Sequence, residues 1–330
     1  KHNMAWTYYA STDASAPVLS GTVGSLITVL DAILTAGYGS KPSAGWPKAF
    51  SGTNLAAYRS GAAAGDQIYF RVDDTGAQEG RVRCYETMSD VNTGTDPFPT
   101  VAQAAGSGLF VRKSAAASAT ARAWACVADD KTCIFLPFPE DFSGVSNGGF
   151  YVGDIYSFKA SDTARAAIIA NAVTGTATNR LIAWTTASTS IATGQCPGHF
   201  MNRDHTGGEL SPALYKDVSS ACLSTDTGSN WSAAAFSGHT FPNEADGGVY
   251  MFPFRIATFI TASSPSELAL RGRLRGLYFC PCGVDQFAFG QEVSGAADLA
   301  GKTFRLFRTG NSATTNQFAA LETSTPPTSV

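Results

Sequence analysis

The cysteines and histidines of this chain are the residues whose types and spacing come closest to a metal site. Cys196 and His199 are separated by two residues, and Cys280 and Cys282 are separated by one. Thiolate and imidazole ligands bind zinc, and the two pairs would complete a tetrahedral site if the fold brought them together. The usual partner pair in structural zinc sites has the spacing CxxC, which CxC matches poorly. We therefore interpret the segment around Cys196 as a loop whose histidines bond to the backbone, and we expect no metal and no other cofactor.

Covalent catalysis would need a serine or cysteine nucleophile beside a base. The chain lacks the GxSxG elbow of the serine hydrolases. Its four histidines are His2, His199, His205 and His239. Cys196 and His199 are the candidate dyad by spacing, but a lone pair at this spacing says little about a reaction. The sequence therefore predicts no covalent catalyst.

Paired carboxylates are the remaining candidates, because glycoside cleavage needs two acids about 5 to 9 Å apart. The pairs that lie close together in the sequence are Asp73 and Asp74, Asp129 and Asp130, Glu140 and Asp141, and Glu244 and Asp246. Every pair lies in a turn-like context, where aspartate is favoured because it hydrogen-bonds to the nearby backbone. We interpret these acids as turn residues and predict that the chain is not an enzyme.

Composition argues against several classes of function. Charged residues make up 15% of the chain and the net charge is −3, so no basic field exists to neutralise a nucleic-acid backbone. No window approaches the roughly 20 apolar residues of a membrane-spanning helix. A surface covered largely by Ser, Thr, Ala and Gly costs little to desolvate, which favours burial against neighbouring subunits. A secreted β protein would have a similar exterior.

The clearest helical pattern runs from Thr22 to Thr35. Its apolar residues recur at steps of three and four and form one stripe; they are Val23, Leu26, Ile27, Leu30, Ile33 and Leu34. Ser20 or Thr22 can cap its start, and Gly37 can close its end. The sequence thus predicts one N-terminal amphipathic helix, which packs on its own subunit or clips onto a neighbour.

Beyond this helix the apolar pattern has a period of two. Gln67 to Asp73 and Gly80 to Met88 both alternate, and Asp73-Asp74-Thr75-Gly76 between them predicts a hairpin turn. Further strands are predicted at Leu109 to Lys113, Arg122 to Ala128, Thr132 to Phe138, Phe150 to Phe158, Arg180 to Thr186, Val249 to Thr261, Leu274 to Phe279 and Thr303 to Phe307. A second short helix is predicted at Ser161 to Val173.

Gly-rich turns separate these runs, which is typical of a mainly β fold. We predict a β-sandwich or barrel-like body of many short antiparallel strands with one N-terminal amphipathic helix. The predicted division is an arm and helix at 1–45, a β region at 46–190, and a second β region with a C-terminal tail at 191–330. Residues 46–330 as a single domain are the alternative.

The seven cysteines are irregularly spaced and odd in number, unlike a disulfide framework. Cys126 and Cys133 flank a turn at Asp129-Asp130-Lys131 and are expected to face each other across a hairpin. We favour two buried thiols there over a cross-strand disulfide.

Several blocks of the chain resemble virion structural proteins of tailed bacteriophages. They are Ser11-Thr12-Asp13-Ala14 running into Pro17-Val18-Leu19-Ser20-Gly21, Arg83 to Asp90, Val152 to Phe158, and Leu270 to Tyr278, and they span most of the chain. The resemblance implies a place in the virion and supplies no catalytic residue. The partners it implies are copies of this chain and other virion proteins.

The resulting expectation is a non-enzymatic structural component repeated around a symmetric particle. A neck or tail position is favoured slightly over capsid decoration. The alternative is a host-surface glycan-binding module or a tailspike-like glycan hydrolase, which would need solvent-facing aromatic residues beside a carboxylate pair in one groove. The aromatic candidates for an interface or for sugar stacking are Tyr8, Tyr9, Trp46 and Trp231.

Overall fold

The structure, a computed structural model, describes residues 4–61, 65–101, 104, 106–138, 149–170, 198–203, 251–261, 264–280, 287–288, 290–308 and 318–326. The strands in these ranges are β1 (Thr7–Ala10), β2 (Lys48–Gly52), β3 (Leu55–Arg59), β4 (Tyr69–Asp73), β5 (Glu79–Asp90), β6 (Thr93–Phe98), β7 (Leu109–Arg112), β8 (Ala123–Ala128), β9 (Thr132–Phe138), β10 (Phe150–Asp154), β11 (Tyr156–Ser157), β12 (Ala166–Ala170), β13 (Gly198–Met201), β14 (Phe252–Thr261), β15 (Ser264–Cys280), β16 (Gln291–Ser294), β17 (Thr303–Arg308) and β18 (Phe318–Glu322). Helix α1 (Ser25–Leu30) continues into a π-helical segment, Asp31–Ala36, and a 3₁₀ turn covers Ala297–Leu299.

The strands form three antiparallel sheets. The N-terminal sheet has the order β2-β3-β4-β5-β6, with β7 also paired to β5. The central sheet has the order β1-β8-β9-β10-β12-β13, and the C-terminal sheet has the order β11-β15-β18-β17-β16, with β14 also paired to β15. The predicted fold class, mainly β with many antiparallel strands and one N-terminal helix, is confirmed.

The central sheet lies between the other two, and both of its faces are buried. Along β8, Trp124 and Cys126 belong to the core shared with the N-terminal sheet, whereas Ala125 and Val127 belong to the core shared with the C-terminal sheet. Every residue of β9, β10 and β12 is buried. Because neither face meets water, these strands are nearly continuous apolar runs instead of alternating ones.

Aromatic contacts join the layers on each side. The rings of Phe70 in β4 and Phe150 in β10 have centroids 4.9 Å apart, which connects the N-terminal and central sheets. The rings of Phe138 in β9 and Phe307 in β17 are stacked with centroids 5.6 Å apart, which connects the central and C-terminal sheets. Such aromatic pairs add about 1 kcal/mol each to the apolar burial.

Helix α1 packs in the first core, but its start is capped differently from the prediction. The hydroxyls of Ser20 and Thr22 bond to each other, 2.8 Å apart, and the helix has no side-chain cap from its own segment. Instead the Oδ2 atom of Asp74 accepts the amide N–H groups of Leu26 and Ile27, at 2.8 and 3.2 Å. A carboxylate from the β4–β5 turn therefore satisfies the orphan donors of the first turn. Gly37, with φ of 78°, ends the helical segment as predicted.

The predicted second helix at 161–173 is wrong, because Ala166–Ala170 forms β12. This strand pairs with β10 and β13, and its small apolar residues are buried on both faces. A short apolar run cannot be assigned to helix or strand by its periodicity alone. The need to fill a position between two strands decides the outcome.

The N-terminal segment packs within its own subunit. Tyr9 and Leu19 share a core cluster with Trp46 and with residues as distant as Ala170. The boundary proposed at 190/191 and the strand predicted at Arg180 to Thr186 lie outside the described residues, so the domain division stays a prediction.

Trp6 extends this packing to the C-terminal sheet. Its indole N–H donates a hydrogen bond to the carbonyl oxygen of Glu322, 2.7 Å away. The guanidinium of Arg275 lies 5.5 Å from the ring centroid. A Cβ atom on Gly276, whose φ is 65°, would lie 2.2 Å from the Trp6 ring. The indole therefore occupies a slot that only glycine leaves open.

Candidate functional site

Of the four candidate zinc ligands, Cys280 is the one whose side chain is described. It ends β15, is fully buried and is paired in register with Phe318 of β18. His199 lies on β13, and its side chain lies outside the described residues, as do Cys196 and Cys282. Within the described ranges, no three His, Cys, Asp or Glu side chains cluster as metal ligands. The candidate site made of these four residues stays untested.

The adjacent acids Asp73 and Asp74 have different structural roles. Asp73 closes the turn, since its Oδ1 accepts the N–H and the hydroxyl of Thr75 at 3.2 and 2.7 Å. Asp74 is buried and pairs with the ammonium of Lys113, which also donates to the carbonyl oxygen of Thr22 at 2.6 Å. Burial raises the pKa of Asp74 and lowers the pKa of Lys113. The pair fastens α1 to the N-terminal sheet.

Asp129 also forms a turn and a buried ion pair. Its Oδ1 accepts the N–H groups of Lys131 and Thr132 at 2.9 and 2.8 Å, as the turn interpretation predicts. Its Oδ2 lies 2.6 Å from the guanidinium of Arg275 on β15. The β8–β9 hairpin is thereby tied to the C-terminal sheet. The pairs at Glu140/Asp141 and Glu244/Asp246 lie outside the described residues, as do His2, His205 and His239.

Two of the four aromatic candidates belong to the core. Tyr9 and Trp46 are fully buried, and the indole N–H of Trp46 donates to the carbonyl oxygen of Asp129 at 2.7 Å. They are therefore unable to stack on a sugar. Tyr8 is half-buried, with the Arg305 guanidinium 5.0 Å from its ring centroid, and Trp231 lies outside the described residues.

Cys126 and Cys133 meet on one face of the β8–β9 pair. Their sulfur atoms are 3.7 Å apart and both residues are buried thiols. Burial raises the pKa of the Cys126 thiol well above its usual value. A thiol held neutral in this way is a poor nucleophile.

The strongest candidate site is a cavity whose acids lie far apart in the sequence. It has a volume of about 290 Å³ and lies where the N-terminal sheet meets the edge of the central sheet. Its lining residues are Asp66, Gln67, Ile68, Glu86, Thr163, Ala164, Asn202 and Arg203. They come from the segment before β4, from β5, from the segment before β12, and from the residues after β13. We refer to this cavity as the Asp66 cavity.

Asp66 connects three segments of the chain. Its Oδ2 accepts the backbone N–H groups of Arg165 and Ala166, the latter at 2.8 Å, at the start of β12. The same oxygen accepts the side-chain amide of Asn202, 3.3 Å away, just after β13. Asp66 therefore holds β12 and β13 against the segment that precedes β4.

A second carboxylate, Asp154, lies beside Asp66 and pairs with the guanidinium of Arg165, the residue whose backbone N–H bonds to Asp66. The Asp66 N–H donates to Asp154 Oδ1 at 3.1 Å, and Arg165 Nε donates to Asp154 Oδ2 at 2.8 Å. Burial, and then the charge of Asp154, raises the pKa of Asp66 to about 7. A carboxyl group that titrates near neutral pH is suited to proton transfer or to charge-dependent binding.

The other charged residues that line the cavity are already paired. Both oxygens of Glu86 accept from the guanidinium of Arg203, at 2.7 and 2.6 Å. A carboxylate of Asp96 lies 3.6 Å from the same guanidinium. Asn202 Oδ1 is buried and accepts no hydrogen bond from the described residues. Asp66 Oδ1 likewise accepts no hydrogen bond from the described residues, so two acceptor oxygens at this cavity are unsatisfied.

The sequence did carry a signal for this site. Asp154 follows Phe150 to Gly153 and precedes Ile155, so it is an acid within an apolar strand. A buried carboxylate needs a partner, so an acid at this position indicates a polar site nearby. The partner acid is not adjacent in the sequence, because Asp66 and Asp154 are 88 residues apart.

Comparisons with known proteins do not assign this cavity. No protein-family model matches the chain, and no curated protein matches it significantly. Among the described helices, none has the length and apolar character needed to cross a membrane.

Proposed function

We propose that this chain is a non-enzymatic structural subunit of a virion of the tailed-bacteriophage type, repeated around a symmetric particle. It acts through contacts with copies of itself and with other virion proteins. A neck or tail position is proposed ahead of capsid decoration. The resemblance of four sequence blocks to virion proteins supports the virion context. Buried ion pairs and a surface groove of low charge support a scaffold role.

The main structural support for a scaffold role is that buried charged residues form ion pairs between separate elements of the fold. Three buried ion pairs each join separate elements: Asp74 with Lys113, Asp129 with Arg275 at 2.6 Å, and Asp162 with Arg271 at 2.9 Å. Removing one partner of such a pair typically costs about 3 to 5 kcal/mol, because the other charge is left buried and unpaired. The first pair fastens α1 to the N-terminal sheet, the other two join the central-sheet segments to β15, and none of these acids is available to a substrate.

A groove on the exterior of the molecule also supports association with neighbouring subunits. Val18 and Val23 are 57% and 46% exposed, and both line a groove of about 620 Å³ between the N-terminal segment and the edge strand β2. The groove is lined mainly by small uncharged residues, and its one charged residue, Lys48, is paired with Asp31 at 2.6 Å. Burying such a surface against a neighbour costs little desolvation of charge.

The test is the composition of purified particles. We expect the chain in density-purified virions at a copy number set by the particle symmetry, as measured by quantitative mass spectrometry. A phage-encoded protein with no virion role is the control, and it should be lost on purification. Density for the chain at the neck or tail in a particle map would support the finer proposal. Absence of the chain from purified virions would overturn the proposal, whereas monomeric behaviour in isolation would not.

The Asp66 cavity favours one second candidate, a glycan-binding or glycan-cleaving module. It places an acid with a pKa of about 7 in the same cavity as a second carboxylate, Glu86. A pair of carboxyls in different environments is the arrangement that glycosidases use. Against it, none of the residues that line the cavity is aromatic. A glycan array and a reducing-sugar assay on host polysaccharide, with Asp66→Asn as the control, separate the two candidates.

A further inference from the structure

The Asp66 cavity contains two oxygen atoms that lack donors. Every hydrogen bond that the described residues donate to the Asp66 carboxylate goes to Oδ2, which leaves Oδ1 open. The side chain of Asn202 must turn its NH₂ group to that carboxylate, because a carboxylate can only accept. Asn202 Oδ1 is thereby left buried and unsatisfied. A ligand that completes this site must bring hydrogen-bond donors.

The charges around the cavity favour a cation. Among the described residues, the carboxylates near the cavity outnumber the guanidinium groups that pair with them: Asp66, Asp154, Glu86 and Asp96 against Arg165 and Arg203. Arg59 is close by, but its guanidinium bonds to Gln67 at 2.7 Å and lies over the Tyr69 ring. The pKa of Asp66, raised to about 7 by burial and by Asp154, is the expected mark of a negative charge without a full counterion.

The donor set argues against a divalent metal ion. Calcium needs six to eight oxygen ligands and magnesium needs six. Here Glu86 is already engaged by Arg203 through both oxygens, so it is not a free ligand for a metal ion. An alkylammonium group needs less, because it brings one positive charge and three donors and its stem tolerates apolar walls such as Ile68.

We propose that the Asp66 cavity binds an alkylammonium group, with the Oδ1 atoms of Asp66 and Asn202 as the acceptors. Two sources share this chemistry, a lysine side chain of a neighbouring polypeptide and a free polyamine. A site for a neighbour's lysine would suit a subunit that works by contacts, but the chemistry does not depend on that role.

The experiment titrates the full chain with n-butylammonium chloride and follows the side-chain amide of Asn202 and the backbone amide of Ala166 by NMR. 1-Butanol is the neutral probe of the same shape, and sodium chloride keeps the ionic strength constant. Butylammonium is expected to shift both signals and butanol is not. Affinity should rise about tenfold from pH 6 to pH 8, as Asp66 becomes ionised while the amine stays charged.

Variants test the assignment to Asp66. Asp66→Asn should weaken butylammonium binding at pH 8 at least tenfold, whereas the matched variant Asp73→Asn, in a turn of the same sheet, should leave it within twofold. If Asp66→Asn unfolds, the pH profile and the butanol comparison on the unmodified chain decide the question. Equal responses to both probes, no pH dependence, or full binding by a folded Asp66→Asn variant would each overturn the proposal.

A final pair of probes identifies the source. Nα-acetyl-lysine methylamide represents a lysine side chain, and spermidine represents a free polyamine. Similar affinities point to the single ammonium group of a lysine. Binding of spermidine more than tenfold tighter points to a polyamine. Both results support an ammonium site, and binding of neither probe contradicts it.

Discussion

Two aspartates at the borders of the central sheet, Asp129 and Asp66, have opposite surroundings. Asp129 has a guanidinium of its own, since Arg275 contacts both of its oxygens at 3.2 and 2.6 Å. The Arg165 guanidinium beside Asp66 pairs with Asp154 instead, and Asp66 accepts from backbone amides and from the side chain of Asn202. Both aspartates connect neighbouring sheets, but only Asp129 has a guanidinium as its own counterion. The two sites therefore differ in charge: a guanidinium contacts both oxygens of Asp129, whereas burial and then the neighbouring Asp154 raise the pKa of Asp66 to about 7.

The largest expected effect comes from breaking the balanced pair. Arg275→Ala should lower the free energy of unfolding by about 3 to 5 kcal/mol, because Asp129 is then buried without a counterion. Chemical denaturation measures it. Glu292→Gln is the control, since its ion pair with Arg305 is exposed at the surface and should be worth less than about 1 kcal/mol. A loss for Arg275→Ala as small as that of the control would contradict the role given to this pair.

The second-largest effect is expected at Gly276, the residue after Arg275. Gly276→Ala should cost about 2 to 4 kcal/mol, because its Cβ would collide with the Trp6 ring that lies over Arg275 and its φ of 65° is strained for alanine. Gly301→Ala is the matched control, with φ of 82° and nothing within 4 Å of the added atom. Its free energy of unfolding should fall only by the cost of the strained backbone, about 1 to 2 kcal/mol. Equal losses in thermal unfolding would rule out the collision.

A smaller effect is expected from the unbalanced aspartate. The pKa of Asp66 is raised in the folded chain to about 7, so the fold binds its proton more tightly than the unfolded chain does. Its contribution is therefore fully present below about pH 4 and is lost as the pH rises through 7. Asp66→Asn should remove a loss of about 2 to 3 kcal/mol between pH 5 and pH 8, as measured by denaturation at each pH. An unchanged pH slope in the variant would show that Asp66 does not titrate there.

The smallest effect concerns the cap of α1. Thr22→Ala should change the free energy of unfolding by less than about 0.5 kcal/mol, whereas loss of a true N-cap side chain costs about 1 kcal/mol. The reason is that Asp74 supplies the cap. Asp74→Asn, which also leaves Lys113 buried without a counterion, should cost several times more in the same assay. Equal effects of the two variants would indicate that the Thr22 side chain caps α1.

Local patterns were enough to predict the class of fold. The alternation from Ile68 to Val72 and the Asp73-Asp74-Thr75-Gly76 turn predict the β4–β5 hairpin, because both signals are encoded within a few residues. Ala166–Ala170 escaped prediction, since its strand state is imposed by β10 and β13 on either side. The cap from Asp74 and the Asp66–Asp154 contact depend on residues 48 and 88 positions apart. Such contacts follow from the packing of sheets, which no local window contains.

The hydrogen bond between Trp6 and Glu322 determines how early in synthesis the fold can be completed. The two residues are separated by 316 positions, so the slot that receives the indole is finished only after Glu322 has left the ribosome. Contacts this distant in sequence slow folding, because a large loop must close before any of them forms. The core between the central and C-terminal sheets is therefore expected to be completed only once β18 has been synthesised.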